Sequence, residues 1–436
     1  MKVDRPGSRG FTLVELLIAG LVSVIVLVGV LTASGAQTRA YTVGSRQTLA
    51  QAYGRGALLY MEQHLAWAGY GIDPVLAFDL DRYTTGPCPA EMSPCPRDSR
   101  SNSDELVFYA RNPRYWVPGA GNVAGATGGP AEPAGNAWAI RGGGLAPTAT
   151  TMTIGARQGD SFSRGQIVLA VCRGGQFYTF ATIAQNVAPL GNSQDYTLTL
   201  AAASASDPFN RPDLAVSPAA GAACFAAGDA RLFLVDRYRF HVRPETEGNN
   251  VIPYLVLDQG IDRNRNGTID ADDELVIAEG VEDLQVAYVL ANPLLPTPVV
   301  GETDAVVLVR AAAGEYGSTG TSNQMTTTLF PGNPPAAGET VYAPSSFYTY
   351  RVGPPAAAQR LTDHQANIVG VRLAVVTRSP GSDTETRGNL FLPLNQNTQP
   401  PWIVDRQVAG RDGYQRALFE STVRLPNMTS AGMLYF

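Results

Sequence analysis

The segment RGFTLVELLIAG, residues 9–20, opens a run that constrains the fold of the whole chain. From Leu16 through Thr38, 23 consecutive residues carry no charge, and most of them are apolar. A helix of about 20 apolar residues is long enough to span a bilayer. The run therefore predicts a long N-terminal helix that lies in an apolar medium over half its length. One acid, Glu15, stands at the entrance to this run.

Three fates are open for this segment: a membrane anchor, a cleaved signal peptide, or a helix processed at its leader. The leader MKVDRPGSRG is positively charged, which favours a cytoplasmic N-terminus. Small residues at 32–37 fit a signal-peptide cleavage site. Neither the anchor nor the signal peptide explains Glu15, because a carboxylate at the centre of a membrane helix costs about 2.5–3.5 kcal/mol. The cost is smaller for the anchor, since Glu15 lies near the end of the segment. The helix dipole favours an acid in the first turn, but by only about 1 kcal/mol or less.

The motif GFTLVE followed by an apolar helix resembles the N-terminus of type IV pilins and type II secretion pseudopilins. The resemblance implies that residues 1–10 are a leader, which prepilin peptidase removes by cutting after Gly10. Phe11 would then be N-methylated, and residues 11–38 would form the membrane and filament-core helix. Glu15 would be the acid at the fifth position of the mature chain. It would neutralise the new amine, because an unpaired charge in an apolar medium is costly.

The helix is predicted to continue through residues 39–70 as an amphipathic segment that ends at the glycines of AGYG. The phrase LLYMEQHLAWAGYGIDP resembles a signature of PilW-type minor pilins, with Ala66 where arginine is common. Three later phrases also resemble that family: GVEDLQVAYVL, VGVRLAVVTRSP and RALFESTVRLPNM. The resemblance implies an inner-membrane subunit, single-pass before assembly, whose head is exported and which ends in an extracellular fibre. Its partners would be other minor pilins, the major pilin, prepilin peptidase, the inner-membrane assembly platform and a tip adhesin.

Residues 71–436 are predicted to form an exported, β-rich head. Short phrases rich in β-branched and aromatic residues, such as QIVLAVC and RLFLVDRYRFHV, indicate strands. Insertions rich in Gly, Ala and Pro are expected around 117–149, 202–230 and 292–360. The predicted fold class is α+β, with one long helix packed on a mainly antiparallel sheet and large loop insertions.

Composition and motifs argue against catalysis and nucleic-acid binding. The chain has 436 residues, a net charge of −6 and no long basic run, so it lacks the basic face of nucleic-acid binders. No nucleophile elbow, phosphate-binding loop, zinc-protease motif or dinucleotide fingerprint is present in the sequence. His64, on the helix, is expected to be a packed or solvated residue. We therefore expect a structural subunit and no enzyme.

Four cysteines, Cys88, Cys95, Cys172 and Cys224, are expected to form two disulfides if the head is exported. Cys88 and Cys95 close a short loop, CPAEMSPC, which favours their pairing and leaves Cys172 for Cys224. Four reduced core cysteines are the alternative.

The stretch DRNRNGTIDADDE, residues 262–274, has the spacing of an EF-hand-type calcium loop. The predicted Ca²⁺ ligands are Asp262, Asn264, Asn266, Thr268 through its backbone carbonyl, Asp270 and Asp273. Glu274 is an alternative to Asp273, and Ile269 is expected to pack the loop against the head. The segments on both sides of the loop are predicted strands, so the loop would join the two strands of a β-hairpin. The expected dissociation constant for calcium is about 10⁻⁴–10⁻³ M, which is a weak affinity. The alternative is an Asx-rich turn that satisfies its own hydrogen bonds.

Together these features predict a minor pilin at or near the tip of a type IV pilus, where it helps initiate assembly. Two alternatives are a J-type pseudopilin of a secretion pseudopilus and a membrane-anchored, calcium-dependent adhesin or enzyme.

Overall fold

The fold is that of a computed structural model. It describes residues 12–72, 74–78, 103–111, 137–141, 145, 149–172, 178–191, 194–203, 209–210, 225, 230–248, 250–291, 306–310, 368–381, 414 and 416–429.

Helix α1 (Leu13–Leu65) runs for 53 residues, or about 80 Å at 1.5 Å per residue. It ends at Leu65, a few residues before the predicted boundary, because residues 66–71 fold into turns. Gly69 has φ of 75° within these turns, a conformation that costs a residue without Cβ little. Its N–H donates to the carbonyl of Tyr109 at 3.1 Å, which ties the helix end to the first strand.

Within the described ranges, the head consists mainly of strands. In chain order the elements are β1 (Leu106–Arg111), β2 (Ala137–Arg141), β3 (Thr151–Ala156), β4 (Ile167–Cys172), β5 (Tyr178–Thr182), β6 (Gln194–Thr199), β7 (Ala230–Glu247), β8 (Asn250–Asp258), β9 (Leu275–Glu279), β10 (Val281–Ala291), β11 (Val306–Arg310), β12 (Ile368–Arg378), β13 (Arg416–Arg424) and helix α2 (Pro426–Thr429). Single 3₁₀ turns lie at Pro74–Leu76 and Ala271–Asp273.

The first sheet has nine strands arranged around β7, which is 18 residues long. Its main path runs β5-β4-β7-β2-β3-β6. Strand β7 pairs with β4 and then β8 along one edge, and with β2 and then β1 along the other. Strand β9 extends the sheet beyond β8. The second sheet has the order β11-β10-β12-β13.

Every strand pair that the structure describes is antiparallel. The α+β class and the antiparallel head are therefore confirmed. One detail differs, since β2 lies inside the predicted insertion at 117–149. Its residues alternate between buried and half-buried, as the period of a strand requires. Of the insertion at 292–360, residues 306–310 form β11.

One face of the C-terminal part of α1 packs on β9, β12 and β13. Its buried residues recur every three or four positions, as a helix face requires: Ala50, Gly54, Ala57, Met61 and Leu65. They join a core that includes residues of both sheets. A second core, around Trp138, lies among β2, β3, β4 and β6.

Candidate functional site

The N-terminus of α1 is closed by a reciprocal capping box between Thr12 and Glu15. The Glu15 N–H donates to the Thr12 hydroxyl oxygen at 3.3 Å, and the Glu15 carboxylate accepts from the Thr12 N–H at 2.9 Å. The Thr12 hydroxyl also donates to that carboxylate, at 3.0 Å. Two otherwise unpaired N–H groups at the helix start are satisfied in this way.

The capping box lies within one chain, so Glu15 stabilises the start of α1 without a second subunit. Both residues are exposed, so the carboxylate also remains accessible to a group from outside the chain. The predicted processing site, Gly10 and Phe11, lies outside the described residues. What the structure adds is that Glu15 both starts the helix and presents a charge at the edge of an apolar surface.

Residues 12–41 are exposed throughout, and we call this segment the apolar stalk. Large aliphatic side chains in the stalk are between 52% exposed at Val22 and 78% exposed at Leu13. By length and composition, α1 is able to cross a membrane, and the apolar window that meets this criterion has no buried residue. An apolar surface of this extent marks a region that binds lipid or protein.

His64 is packed, as the sequence predicted. Its ring lies 4.3 Å from that of Tyr60 and 5.3 Å from that of Tyr238, between ring centroids. Its Nδ1 atom is 2.8 Å from the Tyr60 carbonyl oxygen. These contacts anchor α1 on β7.

The acidic loop at residues 262–274 joins β8 to β9, and these two strands pair as an antiparallel hairpin. The prediction of a loop within a β-hairpin is therefore confirmed. Gly267 has φ of 93°, which permits the sharp turn expected at the sixth loop position. Arg265 has φ of 62°, the one non-glycine residue with positive φ in the described part of the chain.

Two buried carboxylates, those of Asp262 and Asp273, hold the loop from its two ends. Asp262 is 0% exposed, and it accepts from the N–H groups of Asn266 at 3.0 Å and Gly267 at 2.7 Å. Asp273 is 5% exposed, and its Oδ1 accepts from the N–H groups of Arg263 at 2.7 Å and Asn264 at 2.9 Å. Backbone N–H groups thus point inward at both carboxylates.

Burial raises the pKa of Asp262, but its hydrogen bonds outweigh this effect. The donors are the Asn186 side chain and backbone N–H groups of the loop, and the net result is a pKa below the ordinary value of an aspartate. Asp262 therefore stays ionised at neutral pH despite its burial.

The remaining predicted ligands form local turns on the exposed side of the loop. Asn264 Oδ1 accepts from the Asn266 N–H at 2.9 Å, and Asn266 Oδ1 accepts from the Thr268 N–H at 2.7 Å. The Thr268 hydroxyl oxygen lies 2.6 Å from Asn266 Oδ1 and 3.0 Å from Asp270 Oδ2, and its single proton points to the nearer acceptor, Asn266. These are the bonds expected of an Asx-rich turn.

Glu274 does not turn into the loop as an alternative to Asp273. Its carboxylate lies 3.4 Å from Nε2 of His241 and 2.5 Å from Nη1 of Arg243, both on β7. Burial raises the pKa of Glu274, but the hydrogen bond and charge of His241 and the charge of Arg243 bring it below its usual value. Asp273 ends the 3₁₀ turn and bonds within the loop, whereas Glu274 is the first extended residue after it and bonds to β7.

The turn between β3 and β4 and the segment after β5 both support the loop. The sequence did not predict this support. The Asn186 side-chain amide donates to Asp262 Oδ2 at 2.5 Å, while its Oδ1 accepts from the Arg164 N–H at 2.8 Å. The Asp262 N–H donates in turn to the Arg164 carbonyl at 2.9 Å. Asn186 is 76 positions from Asp262, so only the fold brings them together. Ile269 lies near Gly165 but is 44% exposed, so it packs only in part.

The donor set of the loop consists of oxygen atoms, which suits a hard cation such as Ca²⁺. Across the described ranges, however, no group of three His, Cys, Asp or Glu side chains lies close enough to hold a metal ion. A calcium site would therefore have to draw on Asn side chains and the Thr268 carbonyl as well as the carboxylates.

Cys172, at the end of β4, is buried and disulfide-bonded. Its partner falls outside the described residues, as do Cys88, Cys95 and Cys224. The pairing of Cys172 with Cys224 and of Cys88 with Cys95 stays a prediction.

No protein-family model, curated protein or solved structure matches this chain. What the fold itself establishes is a long apolar N-terminal helix packed on antiparallel sheets, an arrangement consistent with a pilin-like fold.

Proposed function

We propose that this protein is a PilW-type minor pilin, a structural subunit incorporated at or near the tip of a type IV pilus. The observation that carries the proposal is the apolar stalk. Its side chains are exposed over residues 12–41, while the same helix packs firmly on the head from Ala50 onward. A helix built in this way needs a second apolar environment, and lipid followed by a helical fibre core supplies it at successive stages.

Packing of apolar helices is the proposed mechanism of assembly. Prepilin peptidase cuts between Gly10 and Phe11 and leaves an amine at the edge of the apolar stalk. The stalk keeps the subunit in the inner membrane until the assembly platform moves it into the fibre. There Glu15 pairs with the amine of a neighbouring subunit, because burial of either charge alone is costly.

A position near the tip follows from the size of the head. Residues 71–436 with their insertions are expected to cap a fibre more readily than to repeat along it. Other minor pilins and the major pilin are the proposed neighbours, and a tip adhesin is the proposed partner above. The J-type pseudopilin of a secretion pseudopilus is less favoured, since such heads are usually smaller.

Two variants of Glu15 separate its capping role from its charge. Glu15→Gln retains an acceptor for the Thr12 N–H and thus the capping box, but it removes the charge. We expect Glu15→Gln and Glu15→Ala to insert normally into the membrane and to be strongly depleted from sheared fibres. If Glu15→Gln entered fibres like the wild type while Glu15→Ala did not, Glu15 would act as a cap and the charge-pairing mechanism would be wrong.

Calcium binding by the loop is proposed as a property of the same head. Asp262, Asn264, Asn266, Thr268, Asp270 and Asp273 would hold the ion, which when bound would cross-link the two ends of the loop. Support comes from the hairpin context, from Gly267 and from the inward-facing Asp262 and Asp273.

Isothermal titration of the detergent-solubilised chain tests calcium binding. Asp262→Ala should abolish the binding heat, whereas Asp272→Ala should preserve it, since Asp272 is exposed and is not a predicted ligand. Absence of heat at millimolar calcium in the wild type would contradict the calcium proposal and leave the pilin proposal standing.

A further inference from the structure

The bond between Asn266 and Gly267 is the single Asn-Gly pair in the sequence. Both residues are exposed. Gly267 carries no side chain, and the space that a Cβ would occupy contains no atom within 4 Å. The backbone nitrogen of Gly267 is therefore not shielded by a side chain at its own position.

The side-chain amide of Asn266 is polarised by the residue that follows Gly267. Its Oδ1 accepts from the Thr268 N–H at 2.7 Å, and the Thr268 hydroxyl is the second donor, 2.6 Å from Oδ1 and closer to it than to Asp270 Oδ2 at 3.0 Å. Two donors on one carbonyl oxygen withdraw electrons from the carbonyl carbon. They also stabilise the negative charge that develops on the oxygen when a nucleophile attacks, as donors do in an oxyanion hole.

The nucleophile of the reaction, the backbone nitrogen of Gly267, lies in the same loop. The Gly267 N–H donates to the Asp262 carboxylate at 2.7 Å, which weakens the N–H bond that attack must break. Because Gly267 directly follows Asn266, its nitrogen closes a five-membered ring when it bonds to the side-chain carbonyl carbon of Asn266. Such intramolecular reactions benefit from a high effective concentration.

We infer that Asn266 is a site of spontaneous deamidation. The Gly267 nitrogen attacks Cγ of Asn266 and loses its proton to a solvent base, while the side-chain amide nitrogen takes up a proton from water and leaves as ammonia. Water then opens the resulting succinimide at either carbonyl, to give aspartate or isoaspartate at position 266. No oxidant or further cofactor is needed, and the inference holds whether or not the loop binds calcium.

The product changes the charge of the loop. Aspartate adds a negative charge at the fifth loop position, and isoaspartate lengthens the backbone by one carbon atom between Asn266 and Gly267. Either product alters the turn in which the Asn266 side chain accepts from Thr268. The loop is thus a position where the exported head changes chemically with age.

Peptide mapping by mass spectrometry of the full chain, aged in metal-free buffer at neutral pH, tests this inference. Asn264 is the internal control, because it lies in the same exposed loop but precedes Arg265. We expect the mass gain of amide-to-acid conversion, with isoaspartate, at Asn266 and not at Asn264. Equal conversion at the two positions, or none at Asn266, would overturn the inference.

A matched pair of variants tests the role of the Thr268 hydroxyl. Thr268→Val removes the donor at nearly constant shape and should slow conversion at Asn266 by up to about tenfold, the effect of losing one neutral hydrogen bond. Thr268→Ser retains the hydroxyl and should convert at close to the wild-type rate. If Thr268→Val converted as fast as the wild type, the proposed activation of the amide would be wrong.

Discussion

The ring of Phe419 on β13 lies directly against the backbone of Gly54 in α1. A Cβ atom added at Gly54 would be 2.3 Å from two carbons of this ring. One turn earlier in the helix, the Thr377 hydroxyl donates to the Ala50 carbonyl at 2.9 Å. The helix is thus fixed to the second sheet within the first turns that pack on the head.

Gly54→Ala is expected to destabilise the head, whereas Gly56→Ala is expected to stabilise it. Alanine favours a helix over glycine by about 1 kcal/mol, and Gly56 is exposed with no atom near its absent Cβ. At Gly54 the clash with Phe419 should outweigh this gain, for a net loss of about 1–3 kcal/mol. Denaturant unfolding of the two variants measures the contrast. Equal stabilisation by both would show that the Gly54–Phe419 contact does not constrain the helix.

Asn186→Ala is expected to weaken calcium binding about 10–100-fold, the usual effect of losing a group that orients a metal ligand. The reason is that the Asn186 amide holds the Asp262 carboxylate from outside the loop. Gln185→Ala is the matched control, because Gln185 is the neighbouring residue and bonds to Thr199 instead. Calorimetric titration of both variants is the measurement. Unchanged affinity in Asn186→Ala would mean that the loop orients Asp262 without help from the neighbouring segment.

The ionised Asp258 carboxylate is expected to make stability depend on pH on the acidic side. Burial raises its pKa, but the charges of Arg237 and Arg239 and the Gly260 N–H bring it below the ordinary 3.8. A depressed pKa in the folded state contributes stability above the unfolded-state pKa, and this contribution is lost as pH falls through the folded value.

Asp258→Asn should therefore lower the free energy of unfolding at neutral pH and flatten its decline below about pH 4. Asp272→Asn, at an exposed position of the acidic loop, is the control. Denaturant unfolding from about pH 3 to pH 7 gives the two profiles. A decline in Asp258→Asn as steep as in the wild type would assign the acid sensitivity to other carboxylates.

Much of the fold follows from local patterns in the sequence. The uncharged run predicts the start of α1. Continuous apolar, β-branched phrases such as QIVLAVC predict central strands, because burial on both faces demands apolar residues at consecutive positions. Strand β2 was missed because Ala, Trp and Ile alternate over only five residues inside a region rich in Gly and Ala. The end of α1 was placed too late because Ala66 and Trp67 favour a helix locally, while contacts with β1 decide where it turns.

The acidic loop shows the same division between local and distant determinants. Its glycine turn and hairpin context are local, so spacing alone predicts them. Two other features depend on residues that are distant in the sequence. Glu274 is oriented by Arg243, 31 positions away, and Asp262 is held by Asn186, 76 positions away. No local pattern carries that information, and it emerges only when the sheet brings β7 and the segment after β5 beside the loop.

The most direct test of the proposed function is the N-terminus of the mature protein. Mass spectrometry of the chain purified from its own membranes should find a protein that begins at N-methylated Phe11, with residues 1–10 removed. The same N-terminus should be present in the sheared fibre fraction. A mature chain that begins near Gln37 would identify a cleaved signal peptide, and one that begins at Met1 would identify an uncleaved anchor. Either result would contradict the pilin account.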